Sequence, residues 1–93
     1  MAKFKVGDLV GIPCEVKPGP FSGERLISFD SLDGPVSGFV LEEELKKQRG
    51  DDQWLVRGRV LSVKPDEIEV WIDGSFFTTN GLATISQEMA VAA

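Results

Sequence analysis

A small antiparallel β-barrel is the fold class this sequence predicts, and three observations predict it. Gly and Pro punctuate the chain at short intervals, in turn-rich clusters at 17–23, 33–35, 50–52, 64–66, 73–75 and 80–81. Between the clusters lie runs of alternating apolar and polar residues, the period of a strand with one buried face. Five or six such strands in 93 residues cannot cover both faces of an open sheet, so curling the sheet closed is the economical solution. An SH3-like barrel of five or six strands is the expected type. An OB-like barrel is the runner-up, because it too has five strands and commonly carries a helix between two of them.

The first strand covers residues 9–16, with Val10, Ile12, Cys14 and Val16 on one side and Leu9, Gly11, Pro13 and Glu15 on the other. Pro13 has no N–H to give a ladder and marks an edge or a bulge. Residues 25–31 set Ile27 and Phe29 against Leu26, Ser28 and Asp30, and residues 36–41 form a third strand whose buried side the pattern leaves open. The strongest hairpin pattern joins 53–63 to 67–73 through Lys64-Pro65-Asp66, where Pro fixes φ and Asp bonds nearby backbone. Its inward set is Val56, Gly58, Val60, Ile68, Val70 and Ile72. Asp73-Gly74 and Asn80-Gly81 supply positive φ, which predicts a last short hairpin of 76–79 with 82–86. One domain over 1–86 and a frayed tail over 87–93 follow.

Residues 41–48 read differently. Acidic Glu42, Glu43 and Glu44 come first and Lys46 and Lys47 last, which complements a helix dipole and allows Glu42–Lys46 and Glu43–Lys47 pairs. The expectation is a two-turn helix docked through Leu41 and Leu45, or else an acidic loop, since so short a helix is marginal alone.

Composition narrows the function. Ten Lys/Arg against fifteen Asp/Glu give a net charge of −5, spread evenly along the chain. No apolar run approaches the roughly 20 residues that cross a bilayer. The start, MAKFKVGD, lacks a signal-peptide core. A cytoplasmic location away from membranes is the expectation. The chain has no His, which removes His-based acid–base catalysis and His-containing zinc sites. Cys14 is the single cysteine and keeps register with buried aliphatic residues, so an inert thiol is expected rather than a nucleophile. Glu42, Glu43, Glu44, Asp51 and Asp52 fit no ligand loop for a hard cation and read as a solvated face. The spacing of Gly7, Gly11, Gly19 and Gly23 opens no helix after a strand, so it is no phosphate cradle. No cofactor, metal or catalytic residue is expected.

The informative constellation lies on the outer face of the long hairpin. Arg57 and Arg59 alternate with core positions on one arm, and Trp71 alternates with them on the other. Counting across a three-residue loop pairs Arg59 with Trp71 and Arg57 with Asp73; a slip of two would pair Arg59 with Glu69 and Arg57 with Trp71. Either register leaves a basic, aromatic patch, and Trp and Arg are frequent binding hot spots. A guanidinium stacked on an exposed indole gains about 0.5 to 1 kcal/mol. The competing reading is a cross-strand pair that only holds the sheet, or a Trp71 covered by residues 41–48. Trp54 extends the patch or caps the barrel end.

Val16-Lys17-Pro18-Gly19-Pro20-Phe21-Ser22-Gly23 resembles the start of the KOW motif of ribosomal and transcription-elongation proteins, a valine followed by Gly-Pro-Phe, one residue and Gly. The resemblance spans eight residues and departs at Glu24, Arg25 and Leu26, where the motif has a further glycine. It implies an SH3-like barrel with Phe21 at an exposed loop tip and a nucleic-acid-associated role in translation or transcription.

Taken together, the residues favour a small non-enzymatic protein- or peptide-interaction module that presents Arg57, Arg59 and Trp71, with Trp54 and Phe21. Nucleic acid is disfavoured, because phosphate neutralisation supplies most nonspecific affinity and no basic stripe is present. The two other readings are the KOW-like domain and an oligomeric small-molecule binder with its pocket between subunits. A homodimer is a further expectation, through a Phe76 or Phe77 exposed on an edge strand.

Overall fold

Alternation of side chains builds β1 (Leu9–Pro18), with Val10, Ile12 and Cys14 turned inward. A computed structural model describes residues 3–47, 53–77 and 80–92. After β1 it places β2 (Glu24–Ser31), β3 (Gly34–Leu41), a single 3-10 turn (Glu42–Glu44) and β4 (Leu45–Lys47). Then come β5 (Trp54–Val63), β6 (Glu67–Trp71), β7 (Ser75–Phe76), β8 (Leu82–Ser86) and β9 (Val91–Ala92). The strands form one curled antiparallel sheet in the order β7-β3-β2-β1-β5-β6-β8, with β4 added to β5 and β9 to β1. The chain is therefore a small all-β barrel-like fold. Among the described residues no helix is long and apolar enough to cross a membrane.

β1 is the strand that turns the sheet. Leu9 to Cys14 pair with β5, and Glu15 to Pro18 pair with β2. Pro13 sits just before this change of neighbour, where a missing N–H costs the ladder least. The two ends of the sheet are drawn together: the chain leaves β6, pairs β7 with β3, and returns as β8 beside β6. The Leu32 N–H, at the β2–β3 turn, donates to the Thr84 carbonyl on β8 at 2.8 Å.

The inner face of this curl is the core. Val10 and Ile12 from β1, Ile27 from β2, Val40 from β3, Val56 and Val60 from β5, and Ile68 and Val70 from β6 are all under 2% exposed. Each contributes roughly 1.5–3 kcal/mol by leaving water. This sum fixes register, since a one-residue slip of β5 would turn Val56 and Val60 outward and bury Arg57 and Arg59.

The β5–β6 hairpin reaches the predicted register by a different route. The Lys64 N–H donates to the Glu67 carbonyl at 2.9 Å, which makes Pro65-Asp66 the loop, one residue shorter than expected. Val63 then faces Ile68 and Ser62 faces Glu69. A bulge at Leu61 restores the count, so that Val60 faces Val70 and Arg59 faces Trp71. Leu61 and Ser62 are both exposed in consequence.

Three expectations are corrected. Residues 41–47 form no two-turn helix: the 3-10 turn ends at Glu44, and Leu45 to Lys47 pair with Trp54 to Val56. A ladder on β5 satisfies backbone groups that a short helix would leave open at both ends. Gln48 lies outside the described residues. The described part of the expected 76–79 and 82–86 hairpin pairs elsewhere: Phe76 faces Gly38 on β3, and β8 lies against β6. Thr78 and Thr79 lie outside the described residues. Residues 87–92 are not frayed, and Ala93 lies outside the described residues. Ala90 is buried at 1% exposure and β9 pairs with Val10 and Gly11. Gln87, buried at 6%, ties it down. Its amide accepts from the Lys3 N–H at 2.8 Å and donates to the Lys64 carbonyl at 2.5 Å, while its backbone N–H reaches the Asp66 carbonyl.

Candidate functional site

Before the bulge at Leu61, the odd-numbered residues of β5 after Trp54 face away from the core, and the ladder aligns Arg59 with outward residues on three other strands. Leu9 on β1 faces Arg59 on β5, Arg59 faces Trp71 on β6, and Trp71 faces Leu82 on β8. The result is one row across four neighbouring strands. Leu9, Trp71 and Leu82 remain 42, 41 and 42% exposed. Behind them, on the inner side of the same strands, Val10, Val70 and Ala83 are buried.

Beside this row lies a shallow cleft of about 300 Å3, where Arg57, Arg59, Trp71, Glu44 and Asp73 meet. It continues into a second cleft of about 480 Å3 that shares Leu9, Glu44 and Arg57 and adds Leu45 and Leu55. Gly11 lines the second one, and a Cβ on residue 11 would stand only 3.0 Å from Leu55 Cδ1. The groove thus runs from Leu55 to Trp71, along the gap on β5 between β4 and β6.

Its charges are arranged differently from the expected basic patch. The 3-10 turn carries Glu44 to β5, where the Arg57 Nε donates to Glu44 Oε2 at 3.1 Å. That hydrogen bond and the Glu44 charge, with Glu43 adding to them, hold the Arg57 guanidinium above its already high ordinary pKa. Arg59 does not stack on Trp71: its Nη1 donates to the Gly7 carbonyl at 3.1 Å. The cation–π contact among the described residues is elsewhere, Lys3 Nζ at 5.3 Å from the centre of the Phe4 ring. Glu69 and Asp73 make no ion pair among the described residues. Both guanidinium groups therefore make hydrogen bonds, carboxylates at Glu43, Glu69 and Asp73 surround them, and Lys46 lines the groove beside Glu43.

The remaining predicted residues separate from this group. Trp54 is opposite Cys14 and Lys47 and packs against the core from the inner side, at the barrel end. It does not extend the face. Phe21 is 70% exposed at the β1–β2 loop tip and lines neither cleft. Cys14 is 5% exposed, and burial pushes its thiol up to about 12. It lines a cavity of about 590 Å3 with Phe29, Gln53 and Met89. Among the described residues no three His, Cys, Asp or Glu side chains could hold a metal ion; Asp51 and Asp52 lie outside them.

Sequence reasoning passed over Leu9, Glu44, Leu55, Asp73 and Leu82 as site residues. Leu82 carried a usable signal, since it alternates with Ala83 and Ile85, both buried. Glu44 carried none, because its partner is thirteen residues away on another strand.

Comparison with known protein families, curated proteins and solved structures gives no match.

Proposed function

We propose that this chain is a small non-enzymatic module that binds a protein or peptide through the outer face centred on Arg59 and Trp71. The row Leu9–Arg59–Trp71–Leu82 carries this reading: three large apolar side chains stay about two-fifths exposed in one row, Trp71 beside Leu82 and Leu9 across Arg59 from them. Exposed apolar side chains scattered singly need no explanation, whereas a set gathered in one row beside a groove fits a binding surface. The free edges of the sheet offer less. Pro35 is the second residue of β3, Lys46 and Lys47 occupy β4, and the Leu32 N–H bonds to the Thr84 carbonyl on β8, all devices that discourage strand addition. A face, rather than an edge, is the contact this barrel offers. An SH3-like type for the barrel belongs to the same proposal, supported by its short antiparallel strands and tight turns.

Phosphates gain little here, since Arg57 is neutralised by Glu44 and sequence-independent affinity for nucleic acid needs many free cations. The test is affinity capture with the wild-type chain and with a Trp71→Ala/Leu82→Ala variant that retains its fold by circular dichroism. A partner retained by the first and lost by the second supports the reading. Partners held equally by both contradict it.

A further inference from the structure

We infer that the occupant of the outer face is a basic segment of a partner protein, one in which lysine or arginine alternates with apolar side chains. The inference rests on the binding role proposed above and adds the chemistry of the partner. The apolar part of the surface is the row of Leu9, Trp71 and Leu82, which would seat apolar side chains. The charged part decides the sign. Arg57 is paired with Glu44, while Arg59 gives one N–H to the Gly7 carbonyl and keeps its charge.

Glu69 extends outward beside Trp71 on the same strand, Asp73 lines the cleft with it, and Glu43 stands at the far end of the groove. None of the three has an ion-pair partner among the described residues. Four carboxylates, with Glu44, thus face three cations on this surface, Arg57, Arg59 and the Lys46 that lines the groove beside Glu43. The whole chain, at −5, extends the same field and steers a cationic segment toward the face. A second copy of this chain brings the same negative charge and fits less well. An acidic segment would find Arg59 and Lys46, yet it would meet three unpaired carboxylates and could gain Arg57 only by displacing Glu44.

The probes are two fluorescently labelled peptides, one alternating lysine with leucine and one alternating glutamate with leucine, titrated by anisotropy. The lysine–leucine peptide is expected to bind in about 0.05 M salt and to weaken about tenfold or more in about 0.5 M salt. Glu69→Lys/Asp73→Lys should weaken it about tenfold or more and raise affinity for the glutamate–leucine peptide. Trp71→Ala should weaken it as well. The inference is overturned if the lysine–leucine peptide does not bind, if the glutamate–leucine peptide binds wild type more tightly, or if the charge reversal leaves lysine–leucine binding unchanged. Preference for the glutamate–leucine peptide with dependence on Trp71 would sink the basic partner and keep the face. Binding indifferent to Trp71 would sink both.

Discussion

Arg59 and Trp71 are direct cross-strand neighbours on β5 and β6, yet the Arg59 guanidinium turns away from the indole and donates to the Gly7 carbonyl at 3.1 Å. Trp71 is thereby left with an open face. Arg59→Ala should then cost under about 1 kcal/mol, the net worth of one exposed hydrogen bond. Trp71→Ala, at a position 41% exposed, should cost about 1 kcal/mol, well short of a core aromatic. Urea unfolding measures both. A loss of about 3 kcal/mol or more for Trp71→Ala would mark that residue as core.

Gly81 holds φ at +86°, and a Cβ there would run into the Ile72 carbonyl and crowd the Trp71 indole nitrogen at 3.3 Å. Gly81→Ala should destabilise the chain by more than about 1 kcal/mol. It should also shift the Trp71 emission, because the substituted residue pushes on the ring from its β8 side. A neutral effect on both would show that the β6–β8 crossover is placed wrongly.

The shared face was legible in part, for a specific reason. Strict alternation in residues 56–60 and 68–72 separates inward aliphatic from outward charged side chains without any knowledge of tertiary contacts. The pairing of Arg59 with Trp71 also emerged from counting, although two features had to cancel: a loop one residue shorter than expected and the bulge at Leu61. What was hidden depends on distant contacts. Leu9 joins the row only through the β1–β5 register, and Glu44 reaches Arg57 only because residues 42–47 become a 3-10 turn and a strand. The helix expected there followed charge order along the sequence, which is weaker than a ladder of backbone hydrogen bonds.

Gln87 links three segments distant in sequence through Lys3, Lys64 and the backbone of Asp66. Gln87→Leu keeps the volume and leaves the Lys3 N–H without its acceptor, at a cost of about 1–3 kcal/mol. Hydrogen exchange should then accelerate first in Val91 and Ala92, whose pairing with β1 depends on this anchor. Exchange that rises uniformly through β5 and β6 would contradict a local role.

Cys14 supplies a pH dependence with a definite sign. Burial raises its thiol from 9.0 to about 12, so the folded chain keeps the proton after the unfolded chain has lost it. The stabilisation is complete below about pH 9 and declines as pH rises from about 9 through about 12, at up to about 1.4 kcal/mol per pH unit. Cys14→Val should flatten this alkaline decline in urea unfolding. In the native wild type a thiol reagent at neutral pH should label Cys14 only as fast as the protein opens.

The exposed position of Trp71 above a buried aliphatic inner face is the claim on which the binding role depends. Acrylamide quenching of a Trp54→Phe variant, in which Trp71 is the single remaining tryptophan, tests it most directly. Red-shifted emission and ready quenching, reduced when the lysine–leucine peptide is added, is the expected result. Blue-shifted emission that resists acrylamide would place the indole inside the barrel and contradict the binding face.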